Sequence, residues 1–479
     1  METLLNLIDG RFCPAQNGQT LTTPEPATGR DFATLPDSDG ADIDAAVAAA
    51  KRAFPAWAAA PSATRARCLR RLAELIDRDL EGLAQAESRD SGKPLHVARS
   101  VDIARARDNC AFFADAATQF ASESHSVPGQ LNYTLRQPLG PVACISPWNL
   151  PLYLLTWKLA PALAAGCTVV AKPSEVTPYS AFLLGKLTIE AGFPPGVLNI
   201  VHGAGDRVGA ALVSHPDIKA VSFTGSTRVG AGIAAVTAGT WKKLSLELGG
   251  KNATIVFADA DLDVAVNEVV RAAFSNQGQI CLCGSRILIQ ASVYAEFKAR
   301  LVTRTQQLRV GDPLEATSDL GALVSAAHFA KVNACVARAQ VEGGAILCGG
   351  APVRLPGRCA EGWFMAPTLI DGLSATCATN QEEIFGPVAT LLPFTDEADA
   401  IQIANGTPYG LAANVWTRDV SRAHRVAERL QAGIVWLNCW MVRDLRTPFG
   451  GVKASGVGRE GGWEAMRFFT DAKSVTLMY

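Results

Sequence analysis

Metal-binding and disulfide patterns are missing from this sequence. Its 12 cysteines form no CxxC pair and no regular framework, and none of the six histidines stands at ligand spacing to Cys283, Cys281 or another histidine. No structural zinc, and no other metal site, is expected. Scattered thiols in a chain of this size point instead to a reducing compartment, the cytoplasm. Charge of one sign is missing too: 44 Lys and Arg against 45 Asp and Glu leave a formal net charge of -1, with no long like-charged block. That balance offers no electrostatic footprint for nucleic acid or an anionic membrane. The first residues, Met1 to Phe12, lack a basic segment followed by an apolar core, so no secretory signal is read there. The longest apolar run, residues 150–171, is broken by Lys158, Pro161 and Gly166, which argues against a membrane span. What remains is a 479-residue chain, 48% hydrophobic and 19% charged, able to build two or three domains with real cores.

The first forty residues, rich in Pro, Gly, Thr and Asp, read as turns and short strands. From Asp44 an alanine-rich amphipathic helical pattern runs to a glycine stop at Gly92, and another helix is expected over 97–121. Charges such as Arg70, Arg71, Asp77 and Arg78 are read as solvated helix faces. Residues 131–144 suggest a strand or hairpin linking two domains. A βα alternation follows, with strands at 168–171, 196–201, 220–223 and 244–248 and helices at 178–191, 206–214 and 226–238. That order predicts crossover units on a parallel sheet, which binds ligands at its strand ends. A second series starts at Asn252, with strands at 254–257 and 285–290, a helix at 262–274 and a long helix from Val293. The two series meet near Gly249-Gly250, so a cofactor domain facing a catalytic domain across a cleft is expected.

The stretch Ser275 to Arg286, SNQGQICLCGSR, presents Cys281 between Ile280 and Leu282 after a polar, glycine-bearing run. A helix end turning into an extended segment can aim one thiol at a cleft, although most lone cysteines are small buried hydrophobes. In Leu244-Ser245-Leu246-Glu247-Leu248 the leucines share one face and Glu247 the other, where it is either a solvated strand acid or a general base. Asn149, in Pro147-Trp148-Asn149, is either a turn residue or an oxyanion donor. Gly203 to Gly209 has one residue too many for a GxGxxG fingerprint. Phe223-Thr224-Gly225-Ser226 opens a helix, where Ser226 is an N-cap or part of an anion site. Lys172 and Glu175 follow the strand at 168–171, where they either hold ribose hydroxyls or form a solvated loop. A carboxylate there favours NAD over NADP by repelling a 2'-phosphate.

Taken together and in order, PWN, KPSE, FTGS, LELGGK, NQGQICLCGSR, EEIFGPV and PFGGVKASGVGRE resemble the NAD(P)-dependent aldehyde dehydrogenase superfamily over nearly the whole chain. Residues 149–166 and 438–451 look most like the branch that oxidises 2-aminomuconic or 2-hydroxymuconic semialdehyde. The resemblance implies an α/β fold with a Rossmann-type cofactor domain (1–121 and 139–249), an α/β catalytic domain (250–450) and a small β oligomerisation element (122–138 and 451–479). It implies a homotetramer built as a dimer of dimers. Cys281 would attack the aldehyde carbon, with the Asn149 amide and the Cys281 N–H holding the oxyanion, and Glu247 would activate the water that releases the acid. NAD would lie along Ile145, Ser146, Pro147, Trp148, Lys172, Glu175, Gly205, Gly209, Phe223, Thr224, Gly225, Ser226 and Leu248, with Glu383 and Phe385 at the nicotinamide half. Cys283 matches no nucleophile position, and His328 stands where many relatives carry a glutamine, which weakens any cofactor contact assigned there. A muconic semialdehyde carries a carboxylate that an arginine would pair. Arg443 is the first candidate and Arg99 the second, with Arg446 a competitor, each also able to form a structural ion pair. The other readings are a general or betaine-aldehyde dehydrogenase, an enzyme passing the acyl group to coenzyme A, and a non-catalytic NAD-binding protein. Glu247 argues against the second, and the presence of Cys281, Glu247 and Asn149 against the third.

Overall fold

The computed structural model describes residues 1–479, and two large sheets organise it. The first runs in the spatial order Gly456–Val457, Lys243–Glu247, Ala220–Thr224, Pro141–Ile145, Thr168–Lys172, Leu198–Ile200, Asn6–Ile8 and Arg11–Cys13. Its inner strands, from Lys243–Glu247 to Leu198–Ile200, are all parallel. Numbered along the chain, those inner strands stand in the order 5-4-1-2-3. The switch point of this doubly wound arrangement therefore lies between Pro141–Ile145 and Ala220–Thr224, where such sheets bind nucleotides. The alanine-rich helix Gly40–Ala59 starts earlier than Asp44 because Asp39 caps it in a reciprocal capping box with Asp42.

The second sheet runs Ala345–Cys348, Thr368–Asp371, Val388–Phe394, Arg286–Gln290, Ala253–Val256, Ala412–Trp416 and Ile434–Leu437, parallel throughout except at its first strand. The helix Leu262–Phe274 falls where its apolar period put it, with Asp261 as its cap. Each sheet is buried on both faces by helices, which is why its inner strands read as continuous apolar runs.

The apolar stretch after Leu150 forms the helix Pro151–Ala165, every residue of which is buried. A helix apolar all round belongs in a core, and no helix in the chain is long and apolar enough to cross a membrane. The hairpin Ser124–Val127 and Gln130–Pro138 pairs with the C-terminal strand Thr470–Met478, making a third sheet whose outer side is exposed. Residues 451–469, expected with that element, lie elsewhere: Val452–Lys453 pairs with Tyr409–Gly410, and the residues after it join the first sheet and its core. Gly456 and Val457 pair with Glu247 and Leu246, and the helix Gly462–Phe468 contributes Ala465 and Met466 to the core around Trp157. Gly456–Val457 thereby adds an edge strand to a sheet that would otherwise end at Lys243–Glu247.

Candidate active site

The thiol stretch is shaped by backbone, not by a strand. After the helix ends at Phe274, Asn276, Gln277 and Gly278 take successive positive φ values of 52°, 56° and 69°. Such conformations cost about 1–3 kcal/mol each for residues other than glycine. Gly278 has no alternative, because a Cβ there would lie 2.0 Å from the Gly386 carbonyl oxygen. The expected extended segment is absent: no strand begins until Arg286. A partly exposed Cys281 is instead held by Asn252, whose Nδ2 donates to the carbonyls of Cys281 at 2.7 Å and Cys283 at 2.9 Å. Trp440 Nε1 donates to the Leu282 carbonyl between them at 3.0 Å. Cys283 is buried, its thiol turned toward the Ser275 carbonyl.

Asn149 lies beyond the end of Pro141–Ile145, at the switch point, and is 3% exposed. Its Nδ2 donates to the Gln279 carbonyl at 2.8 Å, which leaves the second N–H of that amide uncommitted. Its own carbonyl accepts from Asn276 Nδ2 at 3.1 Å. Glu247 ends the strand Lys243–Glu247 of the same sheet, one in from the edge strand Gly456–Val457, and is 4% exposed, with neither carboxyl oxygen hydrogen-bonded. Burial, with Glu460 nearby, holds its carboxyl well above the usual range, against the pull of Lys158, Arg459 and Arg443. Burial likewise pushes the Cys281 thiol up, with Glu383 and Glu247 adding to it and Arg443 opposing. Beneath Glu247, Lys158 Nζ donates to Glu460 Oε1 at 2.7 Å and to Ser222 Oγ at 3.2 Å. Lys158 stood out only as a break in an apolar run, and nothing local linked it to Glu460, 302 residues away.

On the nucleotide side, Lys172 Nζ lies 2.6 Å from Glu175 Oε2, and Glu175 Oε1 accepts from the Gly205 N–H at 3.3 Å. Burial opposes ionisation of Glu175, but Lys172 outweighs it and the carboxyl sits below its ordinary range. The irregular run Gly203 to Gly209 forms a π-turn over Gly205–Gly209 whose first N–H meets this carboxylate. Ser226 proves to be the N-cap, its Oγ accepting from the Val229 N–H at 3.3 Å, so an anion there would meet backbone N–H groups instead. Leu248 packs under Gly230, where a Cβ would come within 2.4 Å of it. The fit to a dinucleotide rests on Ser146 and Thr224, whose buried hydroxyls at the two strand ends of the switch point have no partner. Ile145, Pro147, Phe223 and Gly225 frame the same crevice.

Glu383 folds back onto Gly249-Gly250, taking the Gly250 N–H at 2.9 Å. Gly249 permits this, since a Cβ there would be 2.4 Å from Glu383 Oε2. Phe385 has φ 63° and packs edge-on against Trp148 at 5.1 Å. His328 Nε2 lies 2.7 Å from the Phe385 carbonyl, and burial lowers the imidazole to about 4. His328 therefore supports the backbone of Phe385, a contact that the sequence reading did not suggest.

The arginines separate cleanly. Arg99 pairs with Glu81 at 2.8 Å on an exposed helix face, away from the cleft, so its expected substrate role is withdrawn. Arg446 is held by Asp444 at 2.9 Å. Arg443 donates to the Tyr153 hydroxyl at 2.6 Å and lies 4.1 Å over Phe449, with no carboxylate within ion-pairing distance. It lines a cleft of about 620 Å³ together with Tyr153, Ile280 and Arg105. Arg105, half-buried and unpaired, was missed because the chain enters its helix through a π segment, Ala98–Ile103, which resets the helical face.

A nucleotide-type switch point facing a thiol, an amide and a buried carboxyl defines a class, the pyridine-nucleotide oxidoreductases with a cysteine at the cleft. The sequence model of the Aldehyde dehydrogenase family matches residues 12–475, and the chain belongs to that family. It is an NAD-dependent aldehyde oxidoreductase. The 2-aminomuconic semialdehyde dehydrogenase of Danio rerio is 50% identical, over 99% of this chain and 98% of its own. The 2-hydroxymuconic semialdehyde dehydrogenase of Pseudomonas sp. (strain CF600) is 43% identical over 99% of both chains. The solved NAD+ complex of an aldehyde dehydrogenase from Bacillus cereus matches with TM-score 0.96 at 40% identity, covering 100% of this chain and 97% of the other.

Proposed function

We propose that the substrate is a short unsaturated semialdehyde with a carboxylate at its far end, 2-aminomuconic or 2-hydroxymuconic 6-semialdehyde. The observation that carries this is the pair Arg443 and Arg105, both on the cleft wall and neither matched to a protein carboxylate. A partly buried guanidinium without an anion is costly unless a ligand supplies one. A plain or betaine aldehyde offers no negative charge to meet it. The names of the relatives point the same way.

In this reading Cys281 attacks the aldehyde carbon, and the free N–H of the Asn149 amide meets the oxyanion as it forms. Lys172 with Glu175 would hold the adenosine end of NAD and Glu383 with Phe385 its other end, and the cofactor would take the hydride that leaves the carbon bonded to Cys281, turning the adduct into a thioester. Glu247 then takes a proton from the water that cleaves the Cys281 thioester, releasing the acid. Lys158 and Glu460 lie beneath it and hold the charge balance of that pocket. Because burial raises the Glu247 carboxyl, the base is armed only as pH rises, so the hydrolytic step slows as pH falls through a value above the ordinary carboxylate range.

The chain would act in the cytoplasm, where all 12 cysteines stay free as they are here. It would assemble as a dimer of dimers through the two edge strands of the third sheet, Ser124–Val127 and Thr470–Met478, on either side of Gln130–Pro138. The test is NADH formation from 2-hydroxymuconic semialdehyde against hexanal. Selective turnover of the carboxylated substrate, lost in Arg443→Ala, is expected; equal use of hexanal with no effect of Arg443 would leave the dehydrogenase and remove the substrate.

A further inference from the structure

Lys93 belongs to none of the motifs above, yet its side chain is wholly buried behind the thiol cleft. Gly92, in the left-handed region at φ 76°, ends the helix Leu80–Ser91 and turns the chain inward, delivering Lys93 to the interior. Its Nζ donates to the Asn149 carbonyl at 2.9 Å and lies 3.0 Å from Asp102 Oδ1 and 4.0 Å from Glu87 Oε1. Glu87 Oε1 in turn accepts the Leu152 N–H at 3.2 Å, in the first turn of the helix that follows Asn149. All three side chains of this Glu–Lys–Asp cluster are 0% exposed. Burying such a cluster rarely adds stability over apolar side chains of the same volume, so its value lies in what it holds in place.

It holds two things. Lys93 and Asn276 grip the Asn149 carbonyl from two sides, and Gln279 takes one N–H of the Asn149 side chain. The residue is thereby fixed at three points, two on its backbone carbonyl and one on its side-chain amide, whose remaining N–H is free. On its other side Lys93 anchors Asp102, which sits in the π segment Ala98–Ile103; that segment carries Ser100 and Val101 along the cleft, and Arg105 follows two residues past its end, in the helix Ala104–Gln119.

We propose that Lys93 is a positioning residue that aims the Asn149 amide, and that through Asp102 it sets the distance between this amide and the Arg105 wall. The proposal rests on the reading of Asn149 as the oxyanion donor. Misplacing a catalytic group by about 1 Å costs on the order of a hundredfold in rate.

The experiment measures kcat and KM on hexanal and on 2-hydroxymuconic semialdehyde, and NAD affinity by fluorescence, for the full chain carrying Lys93→Met, Asp102→Asn or Asn149→Ala. Lys93→Met should lower kcat roughly tenfold or more on both aldehydes, with NAD affinity unchanged within about twofold. Asp102→Asn removes the charge that ties Lys93 to the π segment but leaves the contact from Lys93 to the Asn149 carbonyl, so it should spare kcat on hexanal and raise KM for the carboxylated substrate. A Lys93→Met enzyme with wild-type kcat on hexanal overturns the proposal. Should Lys93→Met fail to fold, Asp102→Asn decides, and wild-type KM values for both substrates overturn it. Asn149→Ala separates the two readings: undiminished kcat there removes the oxyanion assignment itself. Loss in Asn149→Ala without loss in Lys93→Met removes only the role of Lys93.

Discussion

The two walls of the cleft treat charge in opposite ways. On the nucleotide side the lysine arrives already neutralised, with Lys172 2.6 Å from Glu175. On the substrate side Arg443 rests on a phenol and two aromatic rings, and Arg105 on nothing charged at all. A paired charge is a fixed donor and acceptor that selects hydroxyls and repels phosphate, whereas an unpaired one in a partly dry cleft is a trap for an anion. Net charge near zero conceals this asymmetry completely.

The severest break is at the centre both walls share. Cys281→Ala should abolish NADH formation from every aldehyde while NAD still binds, measured by fluorescence titration against turnover. Next, Arg443→Ala removes a charge-assisted contact worth about 1.5–3 kcal/mol. The expected fall in kcat/KM is roughly 10- to 100-fold for the muconic substrate and negligible for hexanal. Arg99→Ala, exposed and paired, should match wild type on both and so sharpens the contrast. On the other wall, Glu175→Gln leaves Lys172 unpaired and should weaken discrimination against NADP by roughly tenfold, read as the ratio of kcat/KM for the two cofactors.

The smallest effect concerns stability. Burial raises the Glu87 carboxyl from 4.5 to about 7. A proton held more tightly by the folded state stabilises it fully below the unfolded pKa, and that contribution is lost as pH rises through the folded one. Wild type should therefore lose Tm progressively between about pH 4.5 and 7. Glu87→Gln, which still accepts from Leu152, should flatten that slope; an unchanged slope would mean that Glu87 is not its source.

The alternation of strands and helices was legible because each element is written in a local period. The helix 262–274 needed only its own residues and Asp261, and the parallel sheets followed from their order. The FTGS turn and the thiol stretch were visible for the same reason, since small and polar residues interrupt apolar runs. The extended segment around Cys281 was misjudged because consecutive left-handed residues, not a strand, shape it.

By itself, then, the sequence determined the fold class, the family and the thiol, amide and carboxyl that the cleft brings together. Tertiary structure alone decided which arginine faces the cleft. Arg105, just past the π segment Ala98–Ile103, lines the cleft, whereas Arg99 within that segment pairs with Glu81. It also decided which lysines are structural charges of the interior, because Lys93 meets Asn149 across 56 residues and Lys158 meets Glu460 across 302. Periodicity registers neighbours within a few residues; desolvation and ion pairing depend on distance in space, and only the packed chain sets that distance.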